Sequence, residues 1–156
     1  MAGRSGILAA GIMLVDYVHR INLWPQQGWL AEVSHSEKAA GGAPLNVLVT
    51  LSRMQCQLPQ AAIGLLGEDA DGDYLMQVMD EAQIDRRAVQ RSQTLATSTS
   101  QVMTAPDGQR TFFYAPGANR QLDIPHFDAL NDRYRIFHLG YLLLLESLDH
   151  ADETFG

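Results

Sequence analysis

The sequence predicts an α/β fold in which a parallel sheet carries crossover helices and a small antiparallel sheet stands off it. Three observations carry that expectation. Two short apolar runs bounded by glycine, Ile7–Ile12 and Ala61–Leu66, read as strands buried on both faces. Apolar residues at helical spacing come after each, so strand and helix alternate, the order a parallel sheet requires. A Thr- and Ser-rich segment and an aromatic one, joined by Pro106-Asp107-Gly108, then read as a hairpin.

Taken in order, the longest apolar run is Ile7 to Val15. It is less than half of the ~20 residues that a membrane-spanning helix needs. Asp16-Tyr17-Val18-His19-Arg20 follows it, with no small-x-small cleavage site. The run is therefore read as a buried strand, and a cytoplasmic protein with no membrane partner is expected. Tyr17 to Leu23 alternates loosely until Trp24-Pro25, and Leu30 to Glu37 sets polar residues around Val33, as a half-exposed strand would. Gly41-Gly42-Ala43-Pro44 is a tight turn with proline just inside a helix start. Leu45, Leu48, Val49, Leu51 and Met54 continue that helix to about Gln55. After Ala61–Leu66, the segment Gly67-Glu68-Asp69-Ala70-Asp71-Gly72 turns the chain. Tyr74, Leu75, Val78, Met79 and Ala82 then give a second helix, acidic near its N-terminus, where the helix dipole favours carboxylates. Thr97–Thr104 and Arg110–Tyr114 are the hairpin strands, and Arg135 to Leu145 starts a third buried strand.

With 156 residues, 46% hydrophobic and 19% charged, the chain has enough material for one core and lacks the composition of a disordered segment. Eighteen acidic against 11 basic side chains leave a net charge of −7, with no Lys/Arg run. That excludes the phosphate-neutralising surface of a general nucleic-acid binder. The single cysteine, Cys56, makes no internal disulfide, and the five histidines lack a spacing such as H-x-x-x-H, so no metal ligand set is expected.

Three features fall at the carboxyl ends of the strands, where open α/β sheets place their ligands. Asp16 follows the first strand; a carboxylate there either accepts hydrogen bonds from adjacent hydroxyls of a polyol or sits in a solvated turn. Gly41-Gly42-Ala43-Pro44-Leu45-Asn46 either lets a ligand approach the backbone at a helix N-terminus, with Asn46 donating and accepting, or is a plain Gly-Pro helix start. Neither the P-loop nor the G-x-G-x-x-G dinucleotide pattern is present in that segment. Alternation puts Phe112 and Tyr114 on one strand face and Phe113 on the other, so that one face either closes over a sugar or packs within the small sheet. Asp69 and Asp71 are read as helix-capping acids rather than a Mg²⁺ pair.

Together these residues resemble the ribokinase-like (PfkB) carbohydrate kinases. The resemblance runs through the strand ending near Asp16, Gly41-Gly42…Asn46, the Gly67-x-Asp69-x-x-Gly72 turn, the hairpin and Gly117-Ala118-Asn119, in that order. Ala43-Pro44 is similar to the fructokinase-type branch; ribokinases commonly carry lysine at the position of Ala43. The resemblance implies a Rossmann-like α/β/α body and a β lid made from parts of 17–40 and 97–116. It implies transfer of the γ-phosphoryl of ATP, with Mg²⁺, to a hydroxyl of a ketose- or pentose-type sugar. A nucleoside kinase of the same family and a non-catalytic sugar-binding module are the alternatives. Asp16, Gly42 and Asn46, with Gly41 beside them, would hold the sugar, and Phe112 or Tyr114 would cover it. Glu146 would add another carboxylate, with Gly140-Tyr141 competing for that place. A homodimer through the lid is implied as well.

The catalytic aspartate of such kinases lies in a Gly-Ala-Gly-Asp-like segment, and this sequence has none. Gly117-Ala118-Asn119 comes nearest, but it follows a hairpin strand and asparagine is not a base. Three buried strands with two helices would also leave an apolar sheet edge exposed. The expectation is therefore the N-terminal portion of a longer kinase domain, occupying 1–156. It would carry the sugar-binding side, hold no catalytic residue or metal ligand, and be inactive alone, with the ATP and Mg²⁺ sites mostly elsewhere. The sequence stops at Asp152-Glu153-Thr154-Phe155-Gly156, just as a new helical pattern begins.

Overall fold

The computed structural model describes residues 3–128 and 133–150; the helical pattern expected at 152–156 lies outside them. The chain runs β1 (Ile7–Gly11), β2 (Leu14–Ile21), β3 (Val33–Gly41), α1 (Ala43–Arg53), β4 (Gln60–Gly67), α2 (Ala70–Glu81), β5 (Asp85–Ser92), β6 (Thr99–Thr104) and β7 (Arg110–Ala115). Two short 3₁₀ helices, Gly117–Gln121 and Ile124–Phe127, lead to β8 (Ile136–Gly140). β1, β4, β5 and β8 pair in parallel in the order β5-β4-β1-β8. The other four strands form a second sheet in the order β3-β2-β6-β7.

The main sheet buries both faces because its central strands are apolar after Gln60 at the start of β4. Every residue of β1 and β4 is buried. On one face Ala9, Ala62 and Leu66 receive Leu45 and Leu48 of α1 and Leu75 and Met79 of α2. Each fully buried leucine contributes roughly 1.5–3 kcal/mol. The small side chains of β1 and β4 leave room for the helices to lie close. On the other face Leu8, Ala10 and Ile63 pack with Phe127, Tyr134 and Leu139.

The structure corrects three expectations about the strands of the main sheet. The Ile7–Val15 run is not one strand: Gly11 has φ 122°, and the chain leaves the main sheet there to start β2. The main sheet has a fourth strand, β5, unheralded because its residues are polar; only Val89 is buried in this edge strand. Finally, Arg135–Leu145 does not make a long buried strand. β8 lies at the sheet edge, with Ile136 and Phe137 about half exposed, and it ends at Gly140. Tyr141 and Leu143 take positive φ, and the Asp149 carboxylate accepts from the amides of Leu143 and Leu145, both at 2.8 Å, turning the leucine run back.

The second sheet is mixed rather than wholly antiparallel, since its central pair, β2 and β6, is parallel. The cause is topological. β2 follows β1 and β6 follows β5, and those two run the same way in the main sheet. Both successors therefore start from the same edge and travel outward together, while β3 and β7 return antiparallel beside them.

Candidate functional site

Between the second sheet and the carboxyl end of β1 lies a cleft of about 510 Å³. Its floor is Ile12, Leu14 and the start of α1, with Gly42 and Asn46. Its wall is one face of the second sheet. Asp16 pairs with Ser100, Ser100 with Tyr114, and Val102 with Phe112, so cross-strand register puts Asp16, Ser100, Tyr114 and Phe112 on the same side. Arg110, two residues before Phe112, joins them, its guanidinium 5.9 Å from the centroid of the Phe112 ring. Tyr141 and Leu144, just past β8, close the remaining side.

Asp16 is partly buried, and burial pushes its carboxyl above the ordinary range against the opposing influence of the Ser100 hydroxyl and the Arg110 charge. Ser100 is 4% exposed with its hydroxyl beside the Asp16 carboxylate, and the Tyr114 hydroxyl lies beside Asn119 and Ser98, but neither hydroxyl makes a well-formed hydrogen bond there. The Tyr114 phenol is likewise pushed up by burial. A buried hydroxyl that is poorly paired costs free energy, so two such groups on one cleft wall favour a ligand that carries hydroxyls.

The helix start follows from its residues. Gly42 is the N-cap of α1, with φ 93° and ψ 141°, and a Cβ there would strike the Ile12 carbonyl. No side chain caps this end and no acidic residue occupies the first turn. Its amides and the positive end of the helix dipole therefore face the cleft uncompensated. Gly41 lies under the Asp16 carboxylate rather than in the cleft wall.

The pfkB family carbohydrate kinase model matches residues 6–155. The chain belongs to the pfkB family of carbohydrate kinases. It is 32% identical over 145 residues to a probable fructokinase-7 of Arabidopsis thaliana, covering 90% of this chain and 40% of that protein. The crystal structure of a fructokinase from Xylella fastidiosa is 29% identical with a TM-score of 0.64, covering 86% of this chain and 42% of that one. A ribokinase from Cryptococcus neoformans var. grubii serotype A, in complex with ADP, shares the fold with a TM-score of 0.75 at 19% identity, covering 88% and 41%. The chain thus spans about two fifths of the length of the relatives it matches.

In this pfkB chain the cleft gathers Asp16, Gly42, Asn46, Phe112 and Tyr114, and it gathers Tyr141 rather than Glu146. Glu146 pairs with Arg120 at 2.5 Å beside a separate hollow. Asn119 is fully buried and structural. Its side chain donates to the Met13 carbonyl at 3.0 Å and accepts from the Met13 amide at 3.3 Å, holding the bend between β1 and β2. Asp69 caps α2, accepting from the Gly72 amide at 2.8 Å, and also takes the Thr97 amide and hydroxyl at 2.7 Å each. Ser100 and Arg110 line the cleft without a sequence motif that marks them, although Arg110 sits two places before Phe112 in the same alternation. Among the described residues no group of three or more His, Cys, Asp or Glu side chains could together hold a metal ion. No described helix is long and apolar enough to cross a membrane.

Proposed function

We propose that this cleft is the sugar-binding side of an ATP-dependent kinase that phosphorylates a hydroxyl of a ketose- or pentose-type sugar. The supporting observation is the meeting, in one cleft, of the Asp16 carboxylate, the uncapped start of α1 with Asn46, and two buried hydroxyls that make no well-formed hydrogen bond within the protein. A volume near 510 Å³ suits a monosaccharide with its covering side chains. Asp16 accepts from adjacent sugar hydroxyls, Asn46 donates and accepts, and Ser100 and Tyr114 complete the pattern. Phe112 and Tyr114 lie over the ring, and the second sheet acts as the lid that excludes water. The fructokinase relatives favour a ketose within this class.

ATP supplies the phosphoryl group in this reading, and Mg²⁺ joins it from outside the described residues. The residues of this chain bind and orient the acceptor and shield it; positioning of that kind is a large share of what phosphoryl transfer requires. The base for the acceptor hydroxyl is assigned to the part of the family's length that this chain does not span. Two copies pair through the outer lid, where Trp24 stacks on Phe113 with centroids 6.4 Å apart and Trp29 and Leu30 stand exposed. Light scattering of the wild type and of Trp24→Ala checks that pairing.

Calorimetry with D-fructose, D-ribose and adenosine, with and without ATP, tests the function. Sugar binding that does not require ATP is expected, with no ADP released by the chain alone. Binding of adenosine in preference to either sugar would favour a nucleoside kinase. Sugar phosphorylation by the purified chain would overturn the assignment of the base.

A further inference from the structure

Alternation along β2 points Asp16 into the cleft and Tyr17 the opposite way, onto α2. The Tyr17 hydroxyl donates to Asp71 Oδ1 at 2.6 Å, and the Lys38 ammonium reaches the same oxygen at 2.7 Å. Lys38 is the register partner of Tyr17 on β3, and its Nζ lies 4.4 Å from the centroid of the Tyr74 ring on α2. The Lys38 and Asp71 side chains are only 33% and 20% exposed. Side chains from β2 and β3 thus meet on one carboxylate oxygen of α2, with the Tyr74 ring of α2 against the lysine. Asp71 is not the helix cap, since Asp69 fills that position.

The two strands held there are the two that lead to the sugar site. Tyr17 is the residue after Asp16, and β3 runs from Lys38 through Ala39 and Ala40 to Gly41, over which the Asp16 carboxylate lies. We propose that Asp71 is a positioning residue for Asp16: through Tyr17 and Lys38 it pins β2 and β3 to α2 and so sets where the Asp16 carboxylate stands above the start of α1. The inference rests on the reading of Asp16 as a sugar ligand. Hydrogen bonding to Asp71 pushes both the Tyr17 phenol and the Lys38 ammonium above their ordinary values, so both keep their protons and the clamp persists through neutral pH. Such a pair, still open to solvent on one side, adds little to stability. Its worth lies in geometry, because a displacement of about 1 Å at a binding group can cost orders of magnitude in rate.

The test follows the Asp16 carboxyl by ¹³C NMR titration and D-fructose affinity by calorimetry, in the wild type, Asp71→Ala, Asp71→Asn and Tyr17→Phe. Asp71→Ala is expected to release β2, admit water, and move the Asp16 titration down toward an ordinary carboxyl, with fructose bound about tenfold more weakly, as for one lost hydrogen bond. Asp71→Asn, which keeps an acceptor for Tyr17, recovers part of both effects. Tyr17→Phe shifts both in the same direction by less, and it decides the matter if Asp71→Ala does not fold. A merely structural role lowers Tm in these variants and leaves the Asp16 titration at its wild-type position; that result overturns the proposal. Asp16→Asn separates the two readings. If Asp16→Asn leaves fructose binding intact while the Asp71 variants still move the Asp16 titration, the sugar assignment fails and the clamp stands. If Asp16→Asn weakens binding and the Asp71 variants move nothing, the clamp fails and the sugar assignment stands.

Discussion

The carboxylate of Asp16 lies where residue 41 has no side chain: a Cβ on Gly41 would meet Asp16 Oδ2 and crowd Leu14 Cδ1. Gly41 has no left-handed φ, so alanine is conformationally tolerable there. The collision is with the end of a side chain that can rotate away. Gly41→Ala is therefore expected to leave Tm nearly unchanged while weakening sugar binding about tenfold, the worth of one displaced hydrogen bond. Paired thermal melts and calorimetry check this.

Gly42→Ala behaves differently. With φ 93° and the Ile12 carbonyl in the path of a Cβ, the clash is with backbone, which cannot step aside cheaply. The conformational strain alone is about 1–3 kcal/mol. Urea denaturation should show a loss at least that large, with reduced sugar binding beside it.

Asn119→Ala removes both side-chain hydrogen bonds to Met13 and leaves its buried amide and carbonyl without them. Each stranded group costs about 1–3 kcal/mol. The variant is expected to be the least stable of this set in urea, and Asn119→Asp should not create kinase activity, because residue 119 points into the β1–β2 bend.

The pH dependence of stability should differ in sign between two aspartates. Burial raises the Asp16 pKa, so the folded state favours its protonated form. Its penalty is absent at low pH and appears as pH rises from about 3.8 through the folded value. Asp16→Asn should therefore gain stability over the wild type at neutral pH and lose that advantage in acid. For Asp69 burial pulls upward, but the Thr97 hydroxyl, the Gly72 and Thr97 amides and Arg91 outweigh it and hold the carboxyl low. Its contribution is present above the ordinary carboxylate pKa and is lost as pH falls through the folded value. Asp69→Asn should be destabilised at neutral pH, with the gap closing in acid. Urea midpoints at several pH values would show the two opposite slopes.

Local chemistry made much of this molecule legible in its sequence. Glycine-bounded apolar runs and 3.6-residue spacing marked β1, β4, α1 and α2, and Gly-Gly-Ala-Pro marked the helix start beside Asp16. What stayed hidden depended on partners distant in the chain. β5 reads as polar because an edge strand needs only Val89 inside. Ser100 becomes a cleft residue only through its register with Asp16. The leucines after Gly140 look like a strand until the Asp149 carboxylate, several residues later, folds them into a turn. That turn brings Tyr141 to the cleft and takes Glu146 away from it.

In the proposed function, sugar binding by this cleft turns on Asp16. Titration of D-fructose into the wild-type chain and into Asp16→Ala, without nucleotide, tests this most directly. A charge-assisted hydrogen bond is worth roughly 1.5–3 kcal/mol, so the variant should bind about 10- to 150-fold more weakly at unchanged fold. Equal affinity in the two proteins, or no binding of fructose or any related sugar by the wild type, would contradict it.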